Sequence, residues 1–93
     1  MPDCLILDAR SGQHMTVTVM SPDDAAVFQI YPPPWRYTRN DNGVEVQTRA
    51  LPGAEEGRDI STWTGRLKVS GTYLIVVNRT RGGGDYRLHI EIK

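Results

Sequence analysis

A single cysteine, a single phenylalanine and the absence of any long apolar run set the first limits on this 93-residue chain. Cys4 alone cannot form an internal disulfide, so packing and hydrogen bonds must hold the fold. It is either an inert thiol buried on a first strand or an exposed one open to pairing with another chain. No stretch approaches the ~18 apolar residues of a membrane span, which excludes insertion by a helix. Met1-Pro2-Asp3 has neither the basic start and apolar stretch of a signal peptide nor the small apolar residues of a lipid-anchor processing site. The chain therefore reads as cytosolic, or as a mature or excised domain carrying an initiating Met. Net charge is also lacking, because eleven basic and eleven acidic residues cancel. No overall field draws the chain to nucleic acid or anionic lipid. Nine of the eleven basic residues are Arg, whose planar fork favours directed contacts with carboxylates and aromatic faces.

What is present is strand character. A chain of this size makes one domain with one modest core, burying roughly 60–65% of its unfolded surface. Leu5, Leu7 and Ala9 alternate with Ile6 and Asp8 and run into the turn Arg10-Ser11-Gly12-Gln13. Met15, Val17 and Val19 then share one face of a β-branched run from His14 to Met20. Ala26, Phe28 and Ile30 give a third inward face, ended by Pro32-Pro33-Pro34, which lack the amide hydrogens a ladder needs. Asn40-Asp41-Asn42-Gly43 is a turn signal between Tyr37 and Val44–Thr48, predicting a hairpin. Residues 51–57 read as loop.

The last third is the most regular. Trp63, Leu67 and Val69 mark one side of a strand, with Gly65 between them where a missing side chain leaves room for a ring or a bulge. After Ser70-Gly71, Tyr73, Ile75 and Val77 face one way and Leu74 and Val76 the other. Apolar residues on both faces predict a central strand, or one whose outer face a partner covers. Tyr86, Leu88, Ile90 and Ile92 close the chain in half-buried alternation. About 7–8 short strands separated by turns predict an all-β antiparallel sandwich or jelly roll.

Chemistry is sparse. His14 and His89 stand alone, without a Cys, His or carboxylate at ligand spacing, and no Ser has a His and Asp context. The Asn40–Gly43 loop lacks the ligand ladder and closing Glu of a calcium loop. Gly82-Gly83-Gly84 is followed by neither Lys-Ser/Thr nor a helix, so it is a hairpin tip rather than a phosphate loop. No metal, cofactor or catalytic set is expected. Two clusters carry binding potential: Trp35-Arg36-Tyr37 with Arg39, and the arginines Arg79 and Arg81 flanking the glycine tip. Aromatics beside arginine are the usual composition of an interface hot spot, and such rings also stack on sugars. The competing reading is that Trp35 and Tyr37 cap one end of the sandwich.

The pattern Leu5-x-Leu7-x-Ala9-x-x-Gly12-Gln13, Met15–Val19, Ala26-x-Phe28-x-Ile30-Tyr31-x-Pro33, Trp63-x-Gly65-x-Leu67-x-x-Ser70-Gly71-x-Tyr73-x-Ile75-x-Val77 and Tyr86-x-Leu88-x-Ile90 resembles bacterial pre-peptidase C-terminal domains. The same template is shared by the periplasmic inhibitors of goose-type lysozyme. The resemblance spans residues 5–92, with 35–59 matching poorly, and rests on core and turn positions. It implies a small, non-enzymatic, periplasmic or secreted module that binds protein or carbohydrate. The acidic cluster of calcium-binding relatives is not matched, and Asp23-Asp24 reads as a turn. Ser70-Gly71-Thr72-Tyr73 resembles the Ser-Gly-x-Tyr motif of some lysozyme inhibitors, adding Ser70 and Tyr73 to the candidate contacts; otherwise it is a turn into a strand whose Tyr packs inside. Self-association through the doubly apolar Leu74–Val77 is a third expectation.

Overall fold

The computed structural model describes residues 3–21, 25–41, 43–46, 48–55, 57–58, 60–79 and 85–93. These form eight strands and no helix: β1 (Asp3–Ala9), β2 (His14–Met20), β3 (Ala26–Tyr31), β4 (Tyr37–Asn40), β5 (Gly43–Val46), β6 (Thr62–Arg66), β7 (Gly71–Arg79) and β8 (Arg87–Ile92). Two three-stranded antiparallel sheets, β1-β7-β3 and β6-β2-β8, face each other, and β4-β5 is a separate hairpin. Apart from that hairpin, each successive strand changes sheet. The Arg10–Gln13 turn is therefore a corner between layers and not the tip of a hairpin. Gly12 occupies a positive φ of 90° there, and Gln13 Oε1 accepts from the Arg10 amide at 2.7 Å.

The expected inward faces form the core. In register, Leu7 lies opposite Tyr73 and Phe28 opposite Val77, so these side chains share one face of the first sheet, whereas Leu5, opposite Ile75, is left exposed at the sheet edge. The inward side chains meet Met15, Val17 and Val19 from the second sheet, all buried. Burying each such large side chain contributes about 1.5–3 kcal/mol, so these layers account for most of the stability. Loop residue Ala54 is also fully buried in this cluster, a position the sequence reading assigned only to loop.

The other face of β7 is covered by the chain itself. Leu74 and Val76 pack with Tyr31 and Ala50, and Trp35, Val46 and Cys4 close over them. The segment from Trp35 to Ala50 thus lies across the outer face of the first sheet. This corrects the expectation that Leu74–Val77 mediates self-association: all four residues are buried within one chain. The outer face of the second sheet is polar instead. Thr16 stands opposite Thr64 and Thr18 opposite Thr62, with their hydroxyls in contact at 3.0 and 3.4 Å.

Gly65 has the role that its position predicted. The Trp63 ring folds back along β6 over it, and a Cβ at Gly65 would stand 2.7 Å from Trp63 Cη2. The ring cannot retreat freely, because its Nε1 donates to the Pro52 carbonyl at 2.9 Å. Gly65→Val is expected to cost about 1–3 kcal/mol through overpacking. Urea unfolding checks this, and a wild-type midpoint would show that the ring is not seated there.

Candidate functional site

Of the eight residues singled out in the sequence, Arg81 lies outside the described residues, and Ser70, Tyr73 and Trp35 stand at one end of β7 with Arg79 at the other. At the Gly71 end, the Ser70-Gly71 turn joins the corner between β1 and β2. The Ser11 amide donates to Ser70 Oγ at 2.9 Å, the Gly12 amide to the Leu67 carbonyl at 2.7 Å, and the Leu67 amide to the Gln13 carbonyl at 2.8 Å. Gly71 is at φ 144°, and a Cβ there would stand 2.9 Å from Pro33 Cγ. The proline segment that ends β3 therefore seats against this turn, bringing Trp35 and Arg36 to the same end. Ser70 is exposed, with its hydroxyl hydrogen free to donate while the oxygen accepts from Ser11.

Tyr73 and Trp35 serve the fold at this end. Tyr73 has no exposed surface; its hydroxyl donates to the Val69 carbonyl and braces the turn. Burial raises its pKa, with the backbone hydrogen bond opposing the rise. A residue so enclosed cannot be a docking contact, which corrects its place among the candidates and favours the turn reading. Trp35 is half-buried against the outer cluster, and its Nε1 donates to the Thr72 carbonyl at 2.9 Å. The capping alternative therefore describes it, and its ring is not a free platform. Arg36 is exposed. Tyr37 begins β4.

Around Ser70 the surface is basic although the chain as a whole is neutral. Arg10, Arg36, Arg66 and Lys68 are all exposed. Arg66 lies opposite His14 in the ladder, and its Nη2 is 3.9 Å from the Cβ position at Gly12. The ion pairs among the described residues lie elsewhere: Arg58–Glu55, Arg79–Asp3 and Lys93–Glu91. The Asp8 carboxylate near this end accepts from the Thr72 hydroxyl at 2.8 Å. Sequence reasoning missed Arg10, Arg66 and Lys68 because nothing local marks them; only the corner gathers them.

At the opposite end, Arg79 is committed within the chain. Its Nη2 lies 3.0 Å from Asp3 Oδ2 and its guanidinium carbon 5.3 Å from the centre of the Tyr86 ring. The Tyr86 hydroxyl donates to the same Asp3 oxygen at 2.7 Å. This latch ties β1, β7 and the approach to β8 together. Arg39 reaches the same half of β1, with Nη2 3.9 Å from Cys4 Sγ. Cys4 itself is a half-buried free thiol. Arg81, like the rest of the glycine tip and Asp23-Asp24, lies outside the described residues. His14 is held by the Thr64 hydroxyl at 2.8 Å, and His89 pairs with Thr18, four positions further along β2. Among the described residues no group of His, Cys, Asp and Glu is arranged to hold a metal ion.

Two consequences can be measured. Trp35→Phe keeps most of the packing and removes the bond to Thr72, so unfolding in urea should show a loss of about 1 kcal/mol. An unchanged midpoint would show that the indole hydrogen bond contributes nothing. The Tyr86 pKa is pushed up to about 12, first by burial and then by the hydrogen bond and charge of Asp3, with Arg79 opposing. A folded-state pKa above the ordinary value of 10 favours the neutral phenol in the fold. That contribution is fully present below pH 10 and is lost as pH rises toward 12. Tyr86→Phe should flatten part of the alkaline fall in unfolding free energy. An identical fall in the variant would exclude this source.

No family model and no curated protein sequence matches the chain. Among solved structures, the crystal structure of Aeromonas hydrophila PliG, described as a periplasmic lysozyme inhibitor of g-type lysozyme, is similar in fold. It aligns with a TM-score of 0.59 and 23% identity, covering 100% of this chain and 83% of that one. What the two chains demonstrably share is the small antiparallel β-sandwich.

Proposed function

We propose that this chain is a non-enzymatic, extracytoplasmic binding module that docks a protein partner on the corner around Ser70, and that the partner is a lysozyme. The observation that carries the reading is the exposed Ser70, which shares a hollow with Arg10, Gln13 and Asp8, with Arg66 reaching toward Gly12 and the exposed Lys68 two residues before Ser70, cations in no ion pair among the described residues. Glycoside hydrolases work with carboxyl groups in a cleft. A rigid protrusion bearing guanidinium groups and a hydroxyl donor complements such a cleft in shape and charge. The corner is rigid because Ser11, Gly12, Gln13, Leu67, Ser70 and Tyr73 are cross-bonded at its base. Preorganisation reduces the entropy lost on docking. The likeness in fold to a protein named as an inhibitor of g-type lysozyme supports the choice of partner.

The periplasmic or secreted location and the pre-peptidase C-terminal-like character belong to the same reading. A protein ligand is favoured over carbohydrate, because the aromatic ring best placed for stacking on sugar, Trp35, is tied into the outer cluster.

Inhibition assays with purified protein against goose-type, chicken-type and invertebrate-type lysozymes test the proposal. Micromolar protein should inhibit the goose-type enzyme, with affinity falling as salt rises. Reversing the corner charges with Arg10→Glu and Lys68→Glu should weaken inhibition roughly tenfold or more while leaving unfolding unchanged. The lysozyme reading is lost if none of the three enzymes responds, and the docking surface is wrong if inhibition survives charge reversal.

A further inference from the structure

We infer that the outer edge of β1 is an interface with a second copy of this chain, paired antiparallel about Ile6. The edges of the sandwich are treated differently. On the first sheet, β3 is shielded by its own chain: the Leu51 amide donates to the Ile30 carbonyl at 2.8 Å, the Ile30 amide to the Ala54 carbonyl at 3.3 Å, and the Phe28 amide to the Ile60 carbonyl at 3.1 Å. On the second sheet, β8 carries Arg87, His89 and Glu91 as its exposed positions, a charged guard of the kind that blocks edge pairing. The β1 edge has no such shield among the described residues, and its exposed positions are Leu5, Ile6 and a single charge, Asp8. Among the described residues no backbone group bonds along its outer side. Its sequence DCLILDA holds no Pro, Gly or Lys, and it exposes Ile6 at 66% and Leu5 at 37%.

Self-pairing fits the geometry and the charges. A two-fold axis perpendicular to the sheet keeps outer face with outer face, so partners must be residues of the same parity. Centred on Ile6, that register places the two Ile6 side chains against each other on the outer face and Leu5 opposite Leu7 of the second copy on the inner face. It also places Asp8 opposite Cys4 of the second copy. The Arg39 guanidinium lies 3.9 Å from Cys4 Sγ on that face, so each Asp8 carboxylate approaches an Arg39 of the other copy, twice by symmetry. A continuous six-stranded sheet results, β3-β7-β1 joined to its copy. The surface is centred on Ile6 and shares with the Ser70 corner only Asp8, which lines the hollow beside Ser70, so the inference does not rest on lysozyme binding.

Sedimentation from micromolar to near-millimolar protein should show a monomer–dimer equilibrium. Ile6→Lys, on an exposed position, should weaken the dimer roughly tenfold or more without altering the unfolding midpoint. Asp8→Arg and Arg39→Asp should each weaken it, and the double variant should recover most of the loss. The register has its own readout. Asp8→Cys sets a thiol directly opposite Cys4 of the second copy, and mild oxidation should give a covalent dimer. A chain that stays monomeric throughout overturns the inference, as does a dimer insensitive to Ile6→Lys. A dimer that fails to cross-link in the Asp8→Cys variant overturns the register. Ile6→Lys leaves the cations of the Ser70 corner in place and should keep lysozyme inhibition, so loss of the dimer and loss of inhibition are read separately.

Discussion

Five consecutive residues of β7, Tyr73 to Val77, are buried on both sides of the strand, and the rest of the structure follows from that demand. An antiparallel sheet with one wet face needs one covering layer, whereas a strand apolar on both faces needs two. The second sheet supplies one cover through Met15, Val17 and Val19. The other comes from the segment after the prolines, which crosses the outer face and is pinned by Trp35 to the Thr72 carbonyl. Without that segment, Leu74, Val76 and Tyr31 would form an exposed apolar patch of the kind that drives association.

This arrangement separates fold from recognition. Two of the aromatic residues that look functional in the sequence, Trp35 and Tyr73, each satisfy a polar atom against a nearby carbonyl and turn their rings to packing, as Trp63 does. The proposed docking surface is short and charged instead: the Ser70 corner, with the exposed cations Arg10, Arg66 and Lys68 from β6 and the loops beside it. A neutral chain thus acquires a basic end. Net charge describes solubility and long-range attraction, but docking depends on where the charges stand.

The two ends of β7 also differ in kind. At Arg79 the cation, the Asp3 carboxylate and the Tyr86 phenol satisfy one another, so the charge there works inward as a latch. At Ser70 the cations face outward. The same contrast runs across the sheet edges, where β3 is closed by the chain and β1 is left open.

How far the sequence reaches can be judged element by element. Alternation with period two assigned the inward faces of β1, β2, β3, β7 and β8, because a half-buried strand leaves that imprint directly. The proline stop after Tyr31, the hairpin after Tyr37 and the ring over Gly65 were legible for similarly local reasons. The candidate site was legible only in Ser70 and Arg36. Tyr73 read as a contact because the motif shows its identity and not its burial, and Arg10, Arg66 and Lys68 were silent because three separate segments bring them together. Which sheet each strand joins, and that the outer face of β7 is covered from within, were decided by tertiary structure. Neither leaves a local trace: both depend on pairings between distant segments, chosen by whichever arrangement buries both faces of the central strand.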